Sequence, residues 1–178
     1  MLAFALLSFC SLASAQKVFE VSKGTIVFNS AAPQELIHAS SDALKGVIDP
    51  KKKTFAFKIG ISSFLGFNSP LQREHFNENY METDIFPEAV YQGKIIEDVD
   101  LSKDGSYTIR TKGKLRIHGV EQERIIRSTL TSKQGKLTVE SDFVVLLADH
   151  NIKIPKLVNS KLAPEINVSV NATLVQRN

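Results

Sequence analysis

The sequence predicts an all-β protein of antiparallel strands, interrupted by one short helix and folded as a single domain. Three observations lead to this fold class. Apolar and polar residues alternate over several segments, turn-forming residues separate those segments, and a helix-start signal occurs at residues 69–72. The chain has 178 residues, of which 43% are hydrophobic and 23% charged, so one domain with a sizeable core is expected.

The first fifteen residues are typical of a secretory signal peptide. An uncharged apolar stretch at residues 2–12 is followed by Ala13-Ser14-Ala15, the small-x-small pattern that signal peptidase recognises. The stretch is shorter than the roughly 20 residues that a membrane-spanning helix needs. We therefore expect a signal peptide at residues 1–15 and a β-barrel or sandwich domain at 16–178 that is periplasmic or secreted, without stable membrane insertion. The single cysteine, Cys10, lies in the part that would be removed.

Strands with one apolar face are recognised by a period of two. The clearest is residues 54–61, and the same period recurs at 107–117, 137–145 and 166–174. A further strand is predicted from Ala89 to Ile96. Residues expected to point inward include Phe57, Ile59, Leu115 and Ile117, whereas those expected to face solvent include Lys58, Lys114 and Arg116.

Turn signals separate the strands at intervals that suit an antiparallel meander. They are Ser22-Lys23-Gly24, Asp49-Pro50, Lys103-Asp104-Gly105, His118-Gly119 and Lys133-Gln134-Gly135. Strands of this kind bury their apolar faces either in a two-sheet sandwich or in a closed barrel, and alternation alone does not choose between the two.

The helix-start signal is a Ser N-cap at Ser69, followed by Pro70 at the first helical position and Gln72 three residues after the cap. This arrangement predicts a short helix near residues 70–81. A helix of this length is marginal alone, so its apolar side is expected to pack on the strands.

Motifs for catalysis, metal binding and nucleic-acid binding are absent from the sequence. The four histidines have no metal-ligand spacing, and no G-x-S-x-G, P-loop or dinucleotide-binding glycine pattern occurs. The net charge of +3 is spread along the chain, and Lys51-Lys52-Lys53 is interpreted as a solvated turn. We therefore expect no catalytic residue, no metal, no cofactor and no nucleic-acid partner.

Three blocks give the chain a resemblance to the YceI-like family. The segment Gly113 to Val120 resembles the family's G-x-L-x-I-H-G-V strand and turn, and the run Arg73-Glu74-His75-Phe76 with Phe86 to Tyr91 is similar to its helix and following strand. Asp149-His150-Asn151-Ile152 stands where many relatives have D-[FY]-G-I. Asn151 there replaces the family's Gly, and Leu147-Ala148 precedes the block where many relatives have a basic residue. The resemblance covers about residues 17–175.

This resemblance implies a lipocalin-like antiparallel β-barrel of about eight strands, exported to the periplasm, whose interior binds a polyisoprenoid or an isoprenoid quinone. The residues expected to contact such a lipid are Phe57, Ile59, Phe64, Phe67, Leu71, Phe76, Tyr80, Tyr91, Leu115, Ile117, Phe143 and Val168. Arg73 and His75 are expected to meet a polar head group, and residues 64–81 to cover one opening of the barrel. Two alternatives remain open, a fully packed barrel that binds another protein and an enzyme that acts on a bound lipid. A homodimer is also left open.

Overall fold

The computed structural model describes residues 18–177 and has the predicted all-β architecture. Its strands are β1 Phe19–Ala31, β2 Leu36–Ser41, β3 Lys45–Asp49, β4 Thr54–Gly60, β5 Glu88–Ile95, β6 Gly105–Ile117, β7 Val120–Lys133, β8 Lys136–Leu146 and β9 Glu165–Gln176. Every strand pair is antiparallel, and β1 also pairs with β9, which closes the sheet. Because β2 and β3 pair with different parts of β1, they share one position in the wall. The predicted closed barrel of about eight strands is therefore confirmed.

The strand register agrees with the predicted alternation. Phe57 pairs with Tyr91, and Tyr91 pairs with Leu115, so these three side chains lie side by side on the inner surface. The lysines between them point outward: Lys58 forms an ion pair of 2.7 Å with Glu88, and Lys114 forms one of 2.9 Å with Glu121. Arg116 is also exposed.

One predicted turn is wrong. Ser22-Lys23-Gly24 lies inside β1, where the register against β9 shifts between Val21 and Lys23. Glycine inside a strand commonly marks a β-bulge, and a side chain on Gly24 would come within 3.0 Å of Leu44. The segment therefore bends a strand instead of ending it.

Two other predicted turns are tight hairpins. Both central residues of each turn have positive φ, 50° and 73° at His118 and Gly119, and 50° and 72° at Gln134 and Gly135. This is the backbone geometry whose twist matches that of the flanking strands.

The two ends of the barrel differ. At one end, which we call the closed end, Leu130, Leu137 and Leu174 are completely buried, and Leu101 from the loop before β6 packs over them. Ser132 Oγ donates a hydrogen bond of 2.9 Å to the carbonyl oxygen of Leu101, which fixes this plug. At the other end, which we call the mouth, lie residues 61–87 and 147–164, the two longest connections between described strands.

The predicted short helix is present in the first of these connections. An α-helix, α1, spans Pro70–His75 and continues as one π-helical turn, Phe76–Tyr80. Ser69 Oγ accepts a hydrogen bond of 3.1 Å from the backbone N–H of Gln72. The Gln72 side chain accepts one of 2.9 Å from Asn68 N–H, one residue before the position that a capping box would use.

The expected signal peptide lies outside the described residues. Among the residues that are described, no helix has the length and apolar character needed to cross a bilayer.

Candidate ligand-binding cavity

The barrel encloses a cavity of about 570 Å³ that extends from the mouth to Ile48 and Ile95, near the closed end. This volume is within the range of roughly 300 to 1,000 Å³ that small-molecule sites occupy. Apolar side chains from the strands form its wall, and residues of the helical connection form its cover. All twelve residues predicted to contact a lipid line it: Phe57, Ile59, Phe64, Phe67, Leu71, Phe76, Tyr80, Tyr91, Leu115, Ile117, Phe143 and Val168.

Four phenylalanines hold the cover against the wall. Phe28 of β1 stacks on Phe76, with ring centroids 5.4 Å apart, and also contacts Phe64 at 5.1 Å. The Phe67 ring centroid lies 5.0 Å from that of Phe76 and 6.0 Å from that of Phe28. Aromatic pairs at these distances add about 0.5 to 1.5 kcal/mol each beyond the area they bury. We call residues Phe64 to Met81 the lid segment, since they cover the cavity.

Tyr91 shapes the wall at mid-depth. Its ring packs on Phe55 with a centroid distance of 4.8 Å, and its hydroxyl donates a hydrogen bond of 3.0 Å to the Thr111 carbonyl oxygen. Burial raises the pKa of the Tyr91 phenol, so the group stays neutral at physiological pH. The tyrosine therefore presents an apolar ring to the cavity while its polar end is bonded to the protein.

Hydroxyl groups in the wall also form hydrogen bonds within the protein. Thr111 Oγ1 donates to the carbonyl oxygen of Ile126 at 3.1 Å, and Ser141 Oγ donates to that of Arg127 at 3.2 Å. Ser128 Oγ lies 2.9 Å from Ser141 Oγ. A ligand in contact with this wall therefore meets hydroxyls that already have hydrogen-bond partners.

Polar side chains are concentrated at the rim. Gln72 Nε2 donates a hydrogen bond of 2.7 Å to Glu35 Oε1, which joins α1 to the β1–β2 hairpin. Of the two residues predicted to meet a polar head group, His75 lines the rim and is exposed. Arg73 is not among the residues that line the cavity, and its guanidinium donates a hydrogen bond of 2.9 Å to the Ser62 carbonyl oxygen, so its contact with a head group stays a prediction.

Some lining residues were missed from the sequence. Ile26 and Phe28 of β1 point into the cavity, and a period-two signal at Ile26, Phe28 and Ser30 could have located them. Val158 and Leu162 also line it, from a connection that carries no periodic signal.

No group of three or more His, Cys, Asp or Glu side chains within residues 18–177 is arranged to hold a metal ion. His118 Nε2 lies 2.6 Å from Glu82 Oε2, and its Nδ1 lies 3.1 Å from the carbonyl oxygen of His150. His150 is completely buried, and this burial lowers the pKa of its imidazole.

Solved structures with the same fold come from several bacteria. A polyisoprenoid-binding domain from Saccharophagus degradans, described as implicated in plant cell wall breakdown, superposes with a TM-score of 0.76 at 15% identity, covering 89% of this chain and 98% of that one. BcnA from Burkholderia cenocepacia gives a TM-score of 0.70 at 13% identity, with 84% and 95% covered. The YceI protein of Campylobacter jejuni gives 0.59 at 13% identity, with 79% and 84% covered. At these identities the similarity shows the fold.

The family of this chain is shown by comparing its sequence with models of protein families. No curated protein matches this chain at a significant level. The model of the YceI-like domain, however, matches residues 11–174, which is nearly the whole chain. The barrel, its covered cavity and this match together show that the chain belongs to the YceI-like family.

Proposed function

We propose that this protein binds a long apolar lipid, a polyisoprenoid or the tail of an isoprenoid quinone, in the barrel cavity and sequesters or carries it outside the cytoplasm. The observation that supports this most directly is the cavity itself, about 570 Å³ with an apolar wall and a single packed end. The description of the Saccharophagus degradans neighbour as polyisoprenoid-binding points the same way.

Burial of hydrocarbon supplies the binding energy. Each CH₂ group removed from water contributes roughly 0.8 kcal/mol, so a tail of several isoprene units gains affinity without directional polar contacts. The hydroxyls of Thr111 and Ser141 are already bonded to carbonyl oxygens of the barrel. Selectivity would then follow from the length and shape of the cavity rather than from hydrogen bonding.

The alternatives from the sequence are less well supported. A fully packed barrel would lack the cavity that the lid segment covers. We propose a binding role rather than a catalytic one, because the Thr111 hydroxyl and the Tyr91 phenol in the wall are hydrogen bonded to backbone carbonyl oxygens.

Organic extraction of the purified protein, followed by mass spectrometry, tests this proposal. Val170 lines the cavity, so Val170→Phe should fill part of it and lower the amount of extracted lipid per protein severalfold. Val27, on the opposite face of β1, serves as the control: Val27→Phe should leave the amount unchanged. Absence of any apolar compound from the wild-type protein, whether purified from cells or incubated with isoprenoid quinone, would exclude lipid binding.

A further inference from the structure

A basic and apolar projection stands beside the mouth. Residues 153–161, which we call the rim segment, read KIPKLVNSK and contain three lysines and no carboxylate. A 3₁₀ turn, Lys156–Val158, places Leu157 at its tip, where 94% of the side chain is exposed.

The rim segment is fixed to the barrel at its base. Ser160 accepts a hydrogen bond of 2.9 Å from Gln34 N–H at its carbonyl oxygen, and its hydroxyl donates one of 3.1 Å to the Gln34 side chain. Val158 and Lys161 line the cavity. Leu157 therefore projects outward from a segment whose neighbouring residues form part of the mouth.

The three lysines of the rim segment are available to a partner. Lys153, Lys156 and Lys161 are exposed, and none of them takes part in an ion pair within the described residues. Glu35, a carboxylate that lines the cavity at the mouth, accepts hydrogen bonds from the side-chain amides of Asn68 and Gln72.

Other exposed leucines add to the apolar surface at this end. Leu71 of α1 lines the cavity with 57% of its side chain exposed, and Leu36, at the start of β2, is 61% exposed. Glu74 and Glu78 line a second surface depression with Arg73, and this depression shares Phe67 and Ser69 with the cavity. The rim segment therefore adds three lysines and the protruding Leu157 to this end, whereas the carboxylates of Glu74, Glu78, Glu82 and Asp84 lie in the other connection, residues 61–87.

We propose that the rim segment docks the mouth of the barrel on the surface of an anionic phospholipid bilayer. Leu157 would enter the headgroup region, and the three lysines would lie near lipid phosphates. An apolar lipid could then pass between the bilayer and the cavity without crossing water. This last step rests on the proposed lipid-binding function, whereas docking itself does not require a cargo.

A membrane suits this surface better than a protein partner does. A stable protein interface buries about 800 Å² on each side around a packed apolar centre. The rim segment instead offers one protruding leucine flanked by flexible lysines, which suits a fluid anionic surface with no fixed shape.

Vesicle flotation of the purified protein tests the proposal. We expect binding to vesicles that contain phosphatidylglycerol, little binding to vesicles of phosphatidylcholine alone, and release as salt concentration rises. Leu157→Ser should weaken binding about tenfold, since it removes the inserted side chain. Lys153→Gln with Lys156→Gln should weaken it about fivefold for each lysine, a change that corresponds to roughly 1 kcal/mol per charge.

Matched variants make the test specific. Ile125 lies on the outer wall in β7 and is 61% exposed, so Ile125→Ser removes an exposed apolar side chain elsewhere. Lys51→Gln with Lys136→Gln removes two exposed charges at the closed end. Both controls should retain wild-type binding, with circular dichroism confirming that every variant is folded.

Two results would overturn docking: no association of the wild-type protein with anionic vesicles, or equal losses in the rim variants and the controls. Lipid extraction, carried out in parallel, separates docking from lipid binding. Vesicle binding without any extracted lipid would reject the proposed function and leave docking standing. Extracted lipid without vesicle binding would reject docking alone.

Discussion

His118 Nε2 lies 2.6 Å from Glu82 Oε2, which joins the β6–β7 turn to the residue that follows the lid segment. The other ring nitrogen of His118 lies 3.1 Å from the carbonyl oxygen of His150, in the β8–β9 connection. Both partners are oxygen atoms, so each ring nitrogen of His118 faces an acceptor. Phe86 packs edge-on against the ring at 4.6 Å. One side chain thus connects three loops at the mouth.

This connection predicts that Glu82 slows opening of the lid segment. Glu82→Ala removes the acceptor of the 2.6 Å hydrogen bond, a loss of about 1 kcal/mol, so release of a bound lipid should become about fivefold faster. Glu82→Gln keeps an acceptor oxygen, so its rate of lipid release should stay close to that of the wild type. The measurement is the dissociation rate of a fluorescent isoprenoid analogue from each variant.

Glu78 provides the control for this prediction. It lies in the π-helical turn, four residues before Glu82, and its side chain forms no hydrogen bond or ion pair in the described part of the chain, so Glu78→Ala should leave the rate unchanged. Equal rates for Glu82→Ala and the wild type would show that the His118 contact does not restrain the lid segment.

Much of the barrel could be predicted from the sequence because its physical cause is local. A strand side chain alternates between two faces, so Phe57 and Leu115 are inward wherever their strands pair, and Lys58 and Lys114 are outward. The helix could be predicted for the same reason, since Ser69, Pro70 and Gln72 act on adjacent backbone groups.

Features that depend on distant partners could not be predicted. Arg73 donates a hydrogen bond to the Ser62 carbonyl oxygen, and no spacing in the sequence reveals that acceptor. The bulge at residues 21–23 resembles a turn because glycine serves both structures, and pairing with β9 decides between them. The rim segment has no periodicity, and only its attachment to Gln34 places it at the mouth.

A pH dependence of stability follows from His150. Its Nδ1 lies 3.1 Å from the Val120 carbonyl oxygen, whereas Nε2 is buried with no hydrogen-bond partner in the described structure. Burial lowers the pKa of His150 in the folded state, so the unfolded chain, with a histidine pKa of about 6.5, takes up a proton at higher pH. The free energy of unfolding should therefore fall as pH drops below about 6.5.

Urea unfolding of wild type and His150→Gln at neutral pH and at about pH 5 measures this effect. In His150→Gln, the free energy of unfolding should decrease less between the two pH values than it does in the wild type, whatever the absolute stability of the variant. His75→Gln, which removes an exposed histidine, should show the same decrease as the wild type. An unchanged decrease in His150→Gln would mean that other groups cause the acid destabilisation.

Phe76 is expected to control lipid release. It is half-buried, and its ring contacts Phe28, Phe64 and Phe67. Phe76→Ala should leave the barrel folded, with a loss of stability of about 3 to 5 kcal/mol at most, as for a buried Phe. It should also speed dissociation of a bound lipid. The dissociation rate and the circular dichroism spectrum are measured together.

A variant at Phe19 distinguishes the effect of lower stability from the effect of losing the cover over the cavity. It is buried at the closed end and does not line the cavity, so Phe19→Leu should lower stability without changing the dissociation rate. An unchanged rate in a folded Phe76→Ala protein would reject the lid, and complete unfolding of that variant would place Phe76 in the core.

The last prediction concerns Gly113, which pairs with Gly93 beneath the ring of Tyr91. A Cβ at Gly113 would overlap the Gln92 carbonyl oxygen and come within 3.0 Å of the Tyr91 ring, so Gly113→Ala should destabilise the barrel by about 1 to 3 kcal/mol. Gly60 is the matched control, because a Cβ there meets no atom within 4 Å, and Gly60→Ala should change stability by no more than about 0.5 kcal/mol. Urea unfolding measures both variants. Equal stability of the two would mean that β5 and β6 separate readily at this pair and that Tyr91 is not held against the wall as the register requires.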